Sequence, residues 1–437
     1  MPVLGGLGLR LAYALVNAGS PPEGDAIYYS AQAELLAGGL GFTAPFVGGP
    51  SAEHPPLTAL VMTPLAWVGD GAQGPMRAGM AVIGTVVVVA VALLGRRLGG
   101  DRAGLVAGAL AAVYPCLWMN DGVVMSEALS ALLCALVLLG AYRLLERPTA
   151  GLAVLTGGLV GVAVLTRAEL ALLLPLVVTP ALVLRAGDRR WRDLALATAA
   201  AGLVVAPWAL WNLTRFDRPV LLSTNDGRTL GGANCEDTWY GTGTGLWSQS
   251  VRCLPPGEGD PSVQSSRYRR LALDFAGERL ARLPAVVAVR ELRVWSLYAP
   301  DQMVDYNLGE DRPAAASWAG TVMYWLLLPP GALGLWSLRA RGVPVAPLLG
   351  PFVLVALTAA AFYGLVRFRV PAEISLVVLA AVGIDRLLTP PSSMLSAWRL
   401  GAPSSRPPPS WRRGPGPAST PTSTTSWGPS AATARPG

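Results

Sequence analysis

Ten separate apolar stretches run through this 437-residue chain and decide what it can fold into. They lie near residues 2–18, 76–95, 103–119, 122–142, 151–166, 168–184, 194–211, 318–338, 343–362 and 371–388. Each is long enough, or nearly so, to cross about 30 Å of hydrocarbon as a helix. Soluble domains carry about 25% charged residues, whereas this chain has 14% charged and 52% apolar residues. A backbone in lipid must pair its polar groups within its own segment, and a helix does so. The pattern therefore predicts an all-α polytopic membrane protein with about ten transmembrane helices, plus interfacial helices in its long loops.

The basic residues orient these stretches. All 34 are arginine and no lysine occurs, which excludes P-loop phosphate binding and Schiff-base catalysis. Arg96, Arg97 and Arg102, Arg143 and Arg147, Arg185, Arg189, Arg190 and Arg192, and Arg339 and Arg341 fall in alternate short turns. More arginines follow the last stretch. Positive residues favour the cytoplasmic side, so both termini are expected there. The net charge of +7 is then largely topological and implies no nucleic-acid partner. The first stretch has no cleavage pattern of a signal peptide and reads as a retained helix. Its Arg10 is expected to snorkel to the cytoplasmic face.

Two long connections, 19–75 and 212–316, fall on the outer side, where long loops carry function. The chain thus divides into an N-terminal transmembrane module at 1–211, a long extracytoplasmic loop at 212–316, C-terminal helices at 317–389 and a tail at 390–437. The tail is rich in Pro, Ser and Thr and is expected to be disordered. In the long loop, Cys235 and Cys253 enclose CEDTWYGTGTGLWSQSVRC. Outside the cytoplasm this suits a disulfide, while two Cys with no His nearby make a poor zinc site. GTGTGLW lacks the strand and helix of a dinucleotide fingerprint, so no nucleotide cofactor is expected. Residues 266–300 alternate apolar positions with arginines at helical spacing, as in an interfacial helix, and Trp239, Trp247 and Trp295 offer flat surfaces for sugars or headgroups. Asn212 lies in an NLT glycosylation sequon.

The chemistry-bearing residues cluster at the outer ends of the stretches. Asp25 precedes a helical segment with Tyr28 on it; it either caps that helix, or deprotonates an acceptor hydroxyl, or holds a divalent cation such as Mg or Mn. His54, the only histidine, precedes Pro55 and Pro56, which end any helix before them, and reads as a positioning residue ahead of an interfacial helix at 57–69. Asp121 sits in the next outer turn. Glu127 lies nearly two helical turns further on, at a depth where a carboxylate needs a partner or a polar cavity. Arg167 and Glu169 share a tight turn, as an ion pair or as part of a site. Arg367 and Arg369 break the positive-inside bias, and a lipid phosphate is the natural anion for them.

The order GDAIYY, HPPL, ND…SEAL, LTRAE, PWALWN…FDRPV…STNDG and YGLVRFRVP resembles the polytopic membrane glycosyltransferases of the GT-C superfamily. The nearest branch is that of dolichyl-phosphate-mannose protein mannosyltransferases and lipid A aminoarabinose transferases. The likeness runs over roughly residues 1–388. It implies transfer of a sugar from a polyprenyl-phosphate donor, within the membrane lipid, to an extracytoplasmic glycan, lipid or protein acceptor, with inversion. It implies Asp25 as the essential carboxylate and Arg367 and Arg369 at the donor phosphate, with Tyr28, His54, Asp121, Glu127, Arg167 and Glu169 around the substrates. Ala26 follows Asp25 where the family often has a second acid. A transporter or lipid flippase is the alternative, and it would show repeated halves and helices broken at the midplane.

Overall fold

The computed structural model describes residues 2–46, 48–68, 73–184 and 189–389. The expected disordered tail at 390–437 and Arg185 lie outside the described residues. The described chain is helical, with one isolated antiparallel bridge between Thr43 and Pro50.

The N-terminal half comprises α1 (Pro2–Val16), α2 (Asp25–Ala37), α3 (Leu57–Ala66), α4 (Gln73–Gly99), α5 (Asp101–Val113), α6 (Pro115–Trp118), α7 (Glu127–Glu146), α8 (Ala150–Val164), α9 (Thr179–Val183) and α10 (Arg190–Leu213). The long loop folds into α11 (Asn225–Ala233), α12 (Glu236–Trp239), α13 (Pro261–Gly277), α14 (Leu283–Val294) and α15 (Pro300–Leu308). Three helices close the chain: α16 (Ala314–Ala340), α17 (Ala346–Ala361) and α18 (Val370–Leu388).

Among the described residues, α4, α7, α10 and α16 are long and apolar enough to cross a membrane, and α5 with the segment to Gly122 makes a fifth if that bent pair counts as one span. Of the other expected stretches, the one at 371–388 forms the continuous 19-residue α18, and the rest appear as shorter or interrupted helices. Between Ala168 and Val183 the chain passes through a 3₁₀ turn, a π turn and α9, with Pro175 and Pro180 removing backbone donors. The bend after α5 is 58° and falls at Pro115. Lipid-facing surface is clearest on α10, where Leu203 and Leu210 are exposed.

Small residues set the helix spacing. A Cβ on Gly334 of α16 would fall 1.9 Å from the Leu379 carbonyl oxygen, and one on Gly383 of α18 would fall 1.9 Å from that of Pro330. Only glycine permits this crossing, the close approach through which membrane helices gain packing.

Arg10 does not snorkel. It is fully buried, with Nε 2.6 Å from Asp121 Oδ2 and its Nη atoms donating to the carbonyls of Ala111 and Ala112, both at 3.0 Å. The cause is local: Pro115 has no N–H to offer the Ala111 carbonyl, and α5 therefore ends with unpaired acceptors. Arg10 supplies the missing donors and neutralises Asp121 as well.

Helix α7 runs 20 residues, or about 30 Å. At its far end Glu146 pairs with Arg97 at 2.6 Å. At its near end lies Glu127, where α2, the turn after α8 and the segment before α18 meet. In the long loop, Cys235 and Cys253 are disulfide-bonded with Cα atoms 5.2 Å apart. Trp239 is fully buried beside them and presents no flat surface to a ligand. Asn212 is also fully buried, and its Oδ1 accepts from Arg215 at 2.9 Å, which closes the sequon to modification.

Candidate functional site

The site is assembled around Arg367. After α17 the chain makes one 3₁₀ turn, Val366–Arg369, before entering α18. At three residues per turn, side chains two apart diverge by about 120°, so Arg367 and Arg369 face different surroundings. Arg367 Nη2 lies 2.5 Å from Asp25 Oδ2, Nε lies 3.0 Å from Glu127 Oε1, and Nη1 pairs with Glu310. Glu310 also pairs with Arg312. Arg167 extends the array, with Nη1 3.0 Å from Glu127 and Nε 2.6 Å from Glu169.

Local structure explains each placement. Gly24 takes φ 58°, which suits glycine alone, and a Cβ there would meet Glu310 Cγ at 3.3 Å. This tight turn brings Asp25, first residue of α2, against the Glu310 segment. Asp25 does not cap α2: no side-chain cap bond forms there, and Gly24 is the N-cap. The Leu57 N–H donates to the Leu165 carbonyl at 2.9 Å, which fastens the His-Pro-Pro turn to the end of α8 beside Arg167. His54 is packed between Tyr28 and Tyr29, ring centroids 5.1 and 4.9 Å away, with Nε2 3.9 Å from Asp25 Oδ1. The Tyr28 hydroxyl is 2.9 Å from Ser51 Oγ.

Electrostatics keep this centre charged. Burial acts to raise the Asp25 pKa, but the opposing charges of Arg367, His54 and Arg167 outweigh it and hold the carboxyl well below the usual range. Arg367 is held protonated by Glu310, Asp25 and Glu127 against its own burial. Burial pushes the Tyr28 hydroxyl up to about 12, and it raises Tyr29 and Tyr363 as well.

Two cavities meet at Asp25 and Arg367. The smaller, about 400 Å³, runs between Tyr29, His54, Arg167 and an apolar wall of Leu172, Leu357 and Phe362. The larger, about 980 Å³, is lined by Tyr28, Glu53, Arg228, Trp247, Tyr306 and Glu310. Asn225, Thr229 and Tyr363 border both.

Of the residues singled out from the sequence, Asp25, His54, Glu127, Arg167, Glu169 and Arg367 converge here, with Tyr28 on the larger cavity. Asp121 is not among them, being held by Arg10. Arg369 is not either: it is 1% exposed, pairs with Glu373, donates to Ser296 Oγ at 2.8 Å and lies under the Tyr324 ring at 3.6 Å. Glu310 was not singled out. Its one signal is an acid at the membrane-proximal end of the long loop, in YNLGEDRP, the mirror of Asp25 just after the first stretch. Asn225 and Tyr363 stand within the STNDG and YGLVRFRVP motifs but were not singled out individually.

The oligosaccharyltransferase of Archaeoglobus fulgidus, solved with a tethered acceptor peptide containing the NVT sequon, superposes with a TM-score of 0.53 at 14% identity, covering 90% of this chain and 50% of that one. A family profile described as dolichyl-phosphate-mannose-protein mannosyltransferase matches residues 53–211. The fold is that of the GT-C superfamily. The chain is a multi-pass membrane protein and spans about half the length of the archaeal enzyme. The archaeal enzyme solved with zinc and sulfate has a TM-score of 0.48 at 13% identity, covering 90% of this chain and 50% of that one. ArnT from Cupriavidus metallidurans bound to undecaprenyl phosphate has 0.45 at 16%, covering 87% and 77%. No curated protein matches the chain.

The arrangement of these side chains does not fit Asp25 as a metal ligand. Its Oδ2, Glu127 Oε1 and a Glu310 oxygen all turn onto one guanidinium. Among the described residues no three His, Cys, Asp or Glu side chains are grouped to hold an ion.

Proposed function

We propose that this protein is an inverting membrane glycosyltransferase that moves a sugar from a polyprenyl-phosphate donor to a cell-envelope acceptor on the extracytoplasmic face, with both termini cytoplasmic. The observation that carries the reading is the meeting of two unlike cavities at one carboxylate and one guanidinium. The apolar wall of the smaller suits the first part of a polyprenyl chain, and the larger, polar one suits an acceptor. The GT-C fold agrees with such a division, and the alternation of arginines with a disulfide in the long loop supports the sidedness.

In the reaction, the acceptor oxygen attacks the anomeric carbon from the face opposite the phosphate. The bond from that carbon to the phosphate oxygen breaks, and the phosphate leaves with the electron pair. Asp25 takes the acceptor proton, and a single displacement inverts the anomeric centre. Positive charge develops on the sugar and negative charge on the phosphate, and the guanidiniums of Arg367 and Arg167 at the junction stabilise the latter. His54 and the two tyrosines around it hold the Asp25 face of the cavity in place.

The test is sugar transfer by purified protein in detergent from a synthetic polyprenyl-phosphate sugar. Asp25→Asn is expected to lower the rate by about 10²–10⁴-fold, the range for loss of a positioned base. Undiminished transfer by a folded Asp25→Asn protein refutes the assignment.

A further inference from the structure

Asp25, Glu127 and Glu310 offer the hard carboxylate oxygens that divalent cations take as ligands, yet they are already turned onto an organic cation. Asp25, Glu127 and Glu310 come from three distant parts of the chain, each facing a different nitrogen of Arg367. A guanidinium is planar, permanently charged and carries its donors in a fixed fork. It can therefore collect several carboxylates much as a metal ion does, but without water ligands or a coordination geometry. Arg367 is only 9% exposed, and Glu127 is 1% exposed.

Each carboxylate of the cluster already faces at least one guanidinium. Glu127 is shared with Arg167 at 3.0 Å and faces Arg312 at 3.9 Å. Glu310 pairs with Arg312 as well, and Arg167 also has Glu169. A divalent ion among these oxygens would sit within a few ångströms of three guanidiniums, where like charges repel strongly at low dielectric. Mg in addition demands near-octahedral oxygen ligands, and the oxygens here are arranged around a flat group.

We propose that Arg367 stands in the place of a metal ion: it is the fixed cation of the site, competes with divalent ions for the same three carboxylates, and makes sugar transfer independent of them. This rests on the transferase reading for its catalytic half, but the competition itself does not. It gives Arg367 two tasks, to gather Asp25, Glu127 and Glu310 into one centre and to present positive charge at the junction of the cavities.

The test has a binding arm and a turnover arm. Mn²⁺ is titrated into detergent-purified full chain and followed by electron paramagnetic resonance of the free ion and by thermal melting. Wild type is expected to take up no Mn²⁺ that Asp25→Asn abolishes. Arg367→Ala, which leaves three carboxylates facing one another, is expected to gain Mn²⁺ uptake and a raised melting temperature in its presence. Arg367→Gln, which keeps most of the volume, replaces it if the alanine protein does not fold. In the turnover arm, transfer is expected to survive EDTA unchanged. Asp25-dependent Mn²⁺ binding by wild type overturns the proposal, as does transfer lost to EDTA and restored by Mg²⁺ or Mn²⁺. A folded Arg367 variant that gains no ion refutes the competition. Failure to find any sugar transfer, with the binding results as expected, counts against the transferase reading and leaves the competition standing.

Discussion

Arg367 and Arg369 differ by two positions and by nearly everything else. Arg369 has one carboxylate partner, Glu373 on the next turn of α18, and is sealed under Tyr324 with Tyr114 donating to the same carboxylate at 2.7 Å. Arg367 has three carboxylate partners from remote segments and borders both cavities. The pair around Arg369 is closed and local. The one around Arg367 is open at Asp25, whose side chain is 33% exposed. A basic pair in the sequence thus resolves into a closed fastening and an open junction of two cavities, and the helical angle between i and i+2 is enough to separate them.

Several substitutions can break this contrast. Between the two arginines, the larger effect on turnover is expected from Arg367→Ala, about 10²–10³-fold in transfer rate, the scale for removing one preorganised charge from a transition state. If the loss appears in KM alone, Arg367 binds donor without acting on the leaving charge. Arg369→Met should do the opposite. It leaves Glu373 buried without its partner and is expected to destabilise the fold by about 3–5 kcal/mol, with transfer per folded molecule close to wild type. A rate loss as large as that of Arg367→Ala would erase the distinction.

Glu310→Gln tests whether the junction is a unit. It should lower transfer less than Asp25→Asn does, and the double variant should fall short of the product of the two, because residues sharing a partner are not additive. Independent effects would mean that Glu310 only steadies Arg312.

The smallest effect is on pH dependence. Asp25 has a folded pKa below its unfolded value, near 3.9 for a free Asp. Its ionised form therefore adds stability that is fully present above the unfolded pKa and is lost as pH falls towards the folded one. The difference in melting temperature between wild type and Asp25→Asn should be flat between about pH 8 and 5 and shrink below about 4. A gap that widens on acidification contradicts the assigned direction.

Much of the site could be read from the chain. Asp25, Glu127 and Arg167 each sit at the end of a helix or apolar stretch, where a charge is costly unless it meets another, and they do meet. What could not be read was the pairing. The composition made Arg10 an ordinary snorkelling residue, whereas the carbonyls freed by Pro115 drew it inward to Asp121. Glu310 was hidden because nothing local marks an acid near the end of a long loop as the partner of an arginine 57 positions later. Where the apolar stretches bend or break was hidden for a similar reason: apolar content measures what lipid or core tolerates, whereas the interruptions fall at Pro115, Pro175 and Pro180.

By itself, the sequence determined that the chain would be helical, apolar and membrane-borne, because hydrocarbon leaves a backbone few alternatives, and it placed most of the ionisable residues of interest near one set of helix ends. Tertiary structure alone decided which carboxylate faces which guanidinium. Those partners lie up to 342 positions apart, and only the packing of glycine-lined helices and one left-handed turn at Gly24 brings them within hydrogen-bonding reach.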